Sequence, residues 1–239
     1  MSNPAPAPLP ARSVLLSVLL GSHPPELPVR ALVRTAELFG ISEGTARVAL
    51  SRLSADGEVV ADGGTYGLTE RHLDRQRDQD AALRPATRSW RGAWDLAVMM
   101  PEADGRSARR YLDRRRMAEL RPGVWARPDN LPAPEPPPPG VLLWNGRPEG
   151  QVPAADLAAR LWDLPAWAAG AEELVAALQG AAEPAVRLSV AAAMVRLIRS
   201  DPLLPPALLP AGWPGSRLRK AYDGYRAELG RLIAGLRDD

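Results

Sequence analysis

Gly40, Gly57 and the Asp62-Gly63-Gly64 turn constrain the fold of this chain more than any other feature. A glycine ends a helix cheaply because it adopts the left-handed conformation without a Cβ penalty. Before Gly40, Val29, Leu32, Val33, Ala36 and Leu38 repeat at helical spacing behind Pro28, which suits a first helical turn. Ser42 then offers an N-cap hydroxyl. Ala46, Ala49, Leu50 and Leu53 fall at i, i+3, i+4 and i+7 and define a buried stripe that Gly57 closes. Ahead of these, Ser13 is placed to cap a helix carrying Val14, Leu15, Val18 and Leu19, stopped by Gly21. Behind them, Glu58 to Ala61 and Thr65 to Leu68 read as two strands joined by the Asp-Gly-Gly turn. Helix, helix, tight turn, helix, β-hairpin is the order of a winged helix-turn-helix.

The rest of the chain changes character twice. Thr69 to Arg84 is polar almost all round and reads as a connector helix ending near Pro85. All seven tryptophans lie at or beyond Trp90. Strands are expected at Trp94 to Met100, Gly123 to Arg127 and Val141 to Trp144, with an Arg-laden helix at Gly105 to Leu120 and a proline-rich loop at Pro132 to Gly140. Asp156 to Trp162, Ala171 to Leu178, Val186 to Arg199 and Ser216 to Leu236 read as helices. The expected partition is therefore a Pro/Ala-rich disordered terminus (1–12), a winged helix-turn-helix (13–69), a connector helix (70–89), an α+β middle domain (90–150) and a helical C-terminal domain (151–239).

Composition removes several chemistries. The 239 residues include no cysteine and only two histidines, His23 and His72. Disulfides, thiolate metal sites and a Cys nucleophile are excluded, and a His-rich metal centre has too few ligands. No glycine-rich phosphate loop or paired-His motif occurs. Glu172 and Glu173 are adjacent, so they point to different sides of a helix and make no acid–base pair. The chain is expected to be non-enzymatic and to need neither cofactor nor metal. No run approaches the ~20 apolar residues of a membrane span, and Val14 to Leu20 lacks a cleavage site after it, so a cytoplasmic location without membrane contact is expected.

The 30 basic residues against 28 acidic ones leave a net charge of +2. Lys220 is the sole lysine, so nearly every cation is an arginine, the better fork for phosphate. Residues 1–90 balance at ten basic and ten acidic, modest for a DNA binder whose affinity depends on neutralising phosphates; a dimer would double the contacts.

The third helix of such a motif enters the major groove. Its buried stripe leaves Ser42, Glu43, Thr45, Arg47, Ser51 and Arg52 facing outward. Arg47 is the first candidate for a bidentate guanine contact, and Arg52 for phosphate. Gly44 would let the backbone approach closely, and Arg30 and Arg34 on the preceding helix could clamp the DNA backbone. The turn at Asp62 to Thr65 carries no positive charge, so little minor-groove reading is expected there. A second cationic face comes from Arg106, Arg110 and Arg114, four residues apart. It suits the phosphates of DNA or of a coenzyme A group; its plain reading is a solvated face paired with Asp113 and Glu119. Trp125 and Trp162 are candidates to line an effector pocket, with core packing as the plain alternative. His23 and His72 read as structural or solvated.

Four blocks in order resemble the phenylacetic-acid degradation repressor (PaaX) family. They are Leu38 to Leu53; Leu120-Arg121-Pro122-Gly123-Val124-Trp125 with Arg127-Pro128-Asp129-Asn130-Leu131; Leu161-Trp162-Asp163-Leu164; and Asp201-Pro202-Leu203-Leu204-Pro205 with Leu208-Leu209-Pro210 and Trp213-Pro214-Gly215. The resemblance implies an α+β, multidomain fold: an N-terminal winged helix-turn-helix, a ferredoxin-like middle domain and a C-terminal helical domain. It implies a homodimeric repressor of a catabolic operon that binds palindromic operator DNA and is released by an acyl-CoA effector such as phenylacetyl-CoA. The chain departs from the family in being short, with a trimmed segment around Pro132 to Pro139. Two alternatives stand beside this reading. One is an acyl-CoA-sensing interaction module with no DNA role. The other is a metal-dependent nuclease on the middle domain, with Asp95 as its ligand.

Overall fold

The computed structural model describes residues 9–132, 136–150 and 152–238. It combines helices with two small antiparallel sheets. Helix α1 (Ala11–Gly21) buries Val14, Leu15, Val18 and Leu19. It starts two residues before the expected cap at Ser13, because the Pro10 carbonyl accepts from the Ser13 and Val14 amides and no side chain caps it. Of the terminus expected to be disordered, residues 1–8 lie outside the described residues, and Ala11 and Arg12 are helical.

The segment β1 (Glu26–Pro28) leads into α2 (Val29–Leu38) and α3 (Glu43–Ala55). Both α2 and α3 end in the same device. Gly40, at φ 76°, donates to the Glu37 carbonyl while Ile41 donates to Ala36; Gly57, at φ 67°, donates to Ser54 while Glu58 donates to Leu53. These paired bonds are Schellman caps and satisfy carbonyls that the helices leave unpaired. Strands β2 (Val59–Asp62) and β3 (Thr65–Leu68) form the expected hairpin, with Gly63 and Gly64 both at positive φ. The sheet order is β1-β3-β2. Strand β1 escapes sequence reading because three residues ending in proline show no alternation, yet they pair antiparallel along β3.

Helix α4 (Glu70–Leu83) is where expectation and structure differ most. It is no solvated connector: His72, Gln76, Gln79 and Leu83 form a buried stripe. The polar members are tolerated because each finds a partner. His72 meets Glu58 at 2.5 Å, Gln76 donates to the Leu20 and Ser22 carbonyls, and Gln79 donates to the Tyr222 hydroxyl at 3.0 Å.

The middle of the chain runs β4 (Trp94–Met99), α5 (Gly105–Arg114), β5 (Ala118–Arg121), β6 (Val124–Pro128) and β7 (Val141–Gly146). All pairings are antiparallel, in the order β5-β6-β4-β7. Trp94 pairs with Pro128 on one side and Gly146 on the other, which fixes the register. The helix expected to reach Leu120 stops at Arg114. Arg116, at φ 54°, donates to Asp113 and Met117 to Leu112, so a Schellman cap forms with arginine where glycine is usual. One face of the sheet packs on α5 through Ala97, Trp125, Val141, Tyr111 and Leu112. Trp94, Leu96 and Ala126 alternate to the other face and pack on α6 (Ala154–Leu161) and the start of α7 (Leu164–Gly180). Trp167 stacks on Trp213 there, ring centroids 4.6 Å apart. Part of the expected proline-rich loop, residues 133–135, lies outside the described residues.

Two long helices follow, α8 (Pro184–Arg199) and α9 (Gly215–Asp238), separated by a short 3₁₀ turn (Pro206–Leu208). The chain divides into two compact units. One comprises Met1–Leu83, Gly170–Arg199 and Pro214–Asp239; the other comprises Arg84–Ala169 and Ser200–Trp213. The grouping differs from the expected succession of domains along the chain. Helix α9 packs on α2 and α8, and α4 packs on α1 and α8. Polar bonds also tie α9 to α4: Arg226 pairs with Asp80 at 3.0 Å, and Arg219 donates to the Ala82 carbonyl.

Candidate nucleic-acid interface

Helix α3 is held from behind by Ala46, Leu50 and Leu53, all fully buried. Its other face is open. Ser42, Glu43, Thr45, Arg47, Ser51 and Arg52 are all exposed, as the stripe requires. Ser42 caps the helix: its Oγ accepts from the Thr45 amide at 3.4 Å and lies 2.9 Å from Thr45 Oγ1. Glu43 in the first turn suits the positive end of the helix dipole. A Cβ at Gly44 would meet nothing within 4 Å, so this stretch of backbone is unobstructed.

Arg47 donates through Nε to Glu43 at 2.8 Å, one turn back, with both side chains more than half exposed. Such an exposed pair contributes only about 0.3–0.5 kcal/mol. It orients the guanidinium along the helix face at little cost and yields it readily to a stronger acceptor. Arg30 is exposed and Arg34 half-buried on α2; with Arg52 they have no ion-pair partner among the described residues. Val48 is 52% exposed on the same face of α3. Sequence reading passed over it, since an apolar residue in a helix is ordinarily assigned to the core; here it is an apolar contact able to meet a thymine methyl.

The near-neutral balance of the N-terminal part resolves in space. Arg12 pairs with Asp56 at 2.6 Å and with Glu58 at 3.4 Å, and Arg77 pairs with Glu70 and Asp74. Several carboxylates are thus spent on arginines off the open face of α3, while Arg30, Arg34 and Arg52 keep no carboxylate partner. Glu58 also accepts from His72, and this hydrogen bond holds its carboxyl below the ordinary carboxylate value. His23 is exposed and meets Asp80 at 3.0 Å.

The candidate effector residues are not brought together. Arg106, Arg110 and Arg114 lie exposed on α5 behind an N-cap from Asp104, which accepts from the Arg106 and Ser107 amides. Trp125 is buried in the core between the sheet and α5, under the guanidinium of Arg109 at 4.4 Å. Trp162 packs half-buried on the opposite side of the sheet. The two tryptophans belong to two different cores: Trp125 faces α5, while Trp162, which follows α6, packs on the face to which Ala126 alternates.

A buried polar network explains two of the sequence blocks. Arg127 is fully buried and donates to the carbonyls of Arg115, Pro128 and Leu203 and to Asn130 Oδ1. Burial pulls its pKa down to about 9, which leaves it charged at neutral pH. Asn130 donates to the Leu203 carbonyl at 2.8 Å, and the Leu203 amide donates to Asp201 at 2.9 Å. The Arg-Pro-Asp-Asn block and the Asp-Pro-Leu-Leu block are therefore two halves of one structural clamp. Asp95 is equally engaged: Oδ2 accepts from Arg115 at 2.6 Å and Oδ1 from Asn145 at 2.7 Å. Both oxygens that a metal would need are already committed.

Residues 10–72 match the family described as PaaX-like protein, and residues 165–233 match the PaaX-like protein C-terminal domain. The chain belongs to the PaaX-like family. Members of this family are in general regulators of phenylacetate catabolism. The two matched stretches lie largely in the unit that contains α3. A solved structure, that of the uncharacterized protein Rv0674 from Mycobacterium tuberculosis, is 41% identical and superposes with a TM-score of 0.80, covering 95% of this chain and 98% of that one. A search of curated proteins gives no match. Among the described residues, no helix is long and apolar enough to cross a membrane.

Proposed function

We propose that this PaaX-like chain is a transcriptional repressor that binds operator DNA through α3 and is released by an acyl-CoA effector, phenylacetyl-CoA or a relative. One observation carries the DNA reading. Helix α3 is buried along a single stripe and Ser42-capped, and its outer face presents Arg47 and Arg52 beside hydroxyls. The three-helix core with a β1-β3-β2 sheet supports a winged helix-turn-helix, with α3 as its reading helix. The order β5-β6-β4-β7 supports a ferredoxin-like middle domain in which the second crossover carries no helix among its described residues. As a homodimer the protein would set two α3 helices in successive major grooves, about 34–36 Å apart. A hundredfold release by effector requires roughly 2.7 kcal/mol of coupling, ordinary for linked sites.

The test is a gel-shift titration on DNA from upstream of the gene and its neighbours, at two salt concentrations. Binding should weaken with salt as counterions are released. Arg47→Ala should cost about 1–3 kcal/mol and relax discrimination at one base pair, whereas Arg52→Ala should weaken all sequences alike. Absence of sequence-specific binding by the intact protein would overturn the reading.

A further inference from the structure

Helices α1, α4, α8 and α9 line a partly open cavity of about 380 Å³ within the unit that carries α3. Its apolar walls include Leu16 of α1, Leu188 and Val195 of α8, and Leu229 and Ile233 of α9. Four guanidinium groups also line it, from Arg75, Arg196, Arg199 and Arg226; among the described lining residues there is no carboxylate. Arg226 is taken up by Asp80 and Asp223. Arg75 and Arg196 have no ion-pair partner among the described residues. Partial desolvation lowers the Arg75 pKa, and the charges of Arg199 and Arg71 lower it further, so these cations repel one another. Tyr225 also lines the cavity. It is more than nine-tenths buried, and its hydroxyl has no hydrogen-bond partner among the described residues.

Apolar walls with a few convergent polar groups are the make-up of a small-molecule site, and cavities of this kind run from about 300 Å³ upward. Guanidinium groups with no carboxylate among the described lining residues specify the charge of the occupant. We propose that this cavity binds an anionic amphiphile, with an aryl or short acyl group between the leucines and its negative terminus on Arg75 and Arg196. The volume suits a ring or short chain, so a nucleotide attached to it would lie outside. Helix α1, one wall of the cavity, packs directly on α3. An occupant therefore touches the support of α3 within the same unit. This assignment deepens the effector reading above and rests on it for control of DNA; ligand binding itself stands on the cavity alone.

The experiment is isothermal titration of the full chain with phenylacetate, decanoate, their coenzyme A thioesters and coenzyme A alone. Saturable binding of at least one acyl or aryl probe, at least tenfold tighter than coenzyme A, is expected. Tight binding of the free acids would place a carboxylate on the arginines; binding of the thioesters only would place phosphates there. The double variant Arg75→Ala/Arg196→Ala and the cavity-filling Ala192→Phe should each weaken binding at least tenfold, with thermal melting confirming that both fold. No saturable binding of any of the four acyl or aryl probes overturns the proposal, as does unchanged affinity in either folded variant. Operator binding is measured on the same ligand-free samples, and both variants should keep it. For the unmutated protein, operator binding without any ligand binding counts against the cavity; ligand binding by a protein that ignores its operator counts against the repressor reading.

Discussion

Arg127 shows how a single side chain can hold distant sequence together. Its guanidinium reaches three carbonyls and Asn130; Asn130 also donates to two of those carbonyls, to Pro128 through its amide and to Leu203 through its side chain. A buried acceptor left unpaired costs about 1–3 kcal/mol. Arg127→Met takes the described donor from the Arg115 carbonyl and from Asn130 Oδ1, so it should destabilise the protein by at least about 2 kcal/mol, read as a lower urea midpoint, while Arg127→Lys should recover only part of the loss because it lacks the planar fork. Glu58 gives a pH prediction. Its folded pKa is depressed below the ordinary 4.5, chiefly by the bond from His72. A depressed carboxylate stabilises the fold above its unfolded pKa and loses that contribution as the pH falls through the folded value. Stability should decline below about pH 4.5 in the wild type, and Glu58→Gln should flatten that decline in thermal melts across the acid range. Arg47, Ser42 and Arg52 were legible at this scale, because a helical stripe determines what lies opposite it. The Arg127 clamp was not: its motifs could be seen as blocks, but only folding brings residues 127 and 203 together.

At the scale of elements, glycine is a readable signal and its substitutes are not. Gly40 and Gly57 announced the ends of α2 and α3, and both take positive φ with open space where a Cβ would stand. Gly40→Ala should cost about 1–2 kcal/mol from backbone conformation alone, since no clash is added. Differential scanning calorimetry would measure it. Helix α5 ends in the same geometry with Arg116 in place of glycine, so the sequence suggested a helix running on to Leu120. Helix α4 misled for a second reason. Gln76 and Gln79 read as solvated by residue type, whereas each has a partner contributed from outside the helix, Leu20 and Ser22 for one and Tyr222 for the other. Amphipathic reading works where the buried stripe is apolar and fails where it is polar and paired.

For the whole molecule the decisive fact is that α1–α4 and the C-terminal helices make one unit. A fragment ending at residue 83 would keep the partners of His72 and Gln76 but would strip Gln79 of Tyr222 and uncover the sides of α4 and α2 that α8 and α9 cover. Such a fragment should melt without a cooperative transition, where the full chain melts cooperatively; a sharp transition in the fragment would show that α1–α4 suffice. The division could not be read along the chain, since composition shifts at Trp90 mark where one unit pauses and not where it is complete. The candidate DNA face, being local to α3, was readable; the cavity, built from four helices far apart in sequence, was not.

The interleaving of segments also sets an order of events on the ribosome. The first 83 residues emerge early, then the other unit is made, and α9 comes last. At about 5–20 residues per second, the nascent α3 waits roughly 8–30 s for the helices that complete its surroundings. During that interval the buried glutamines and leucines of α1 and α4 are uncovered and open to chaperones, and the middle unit is free to fold first.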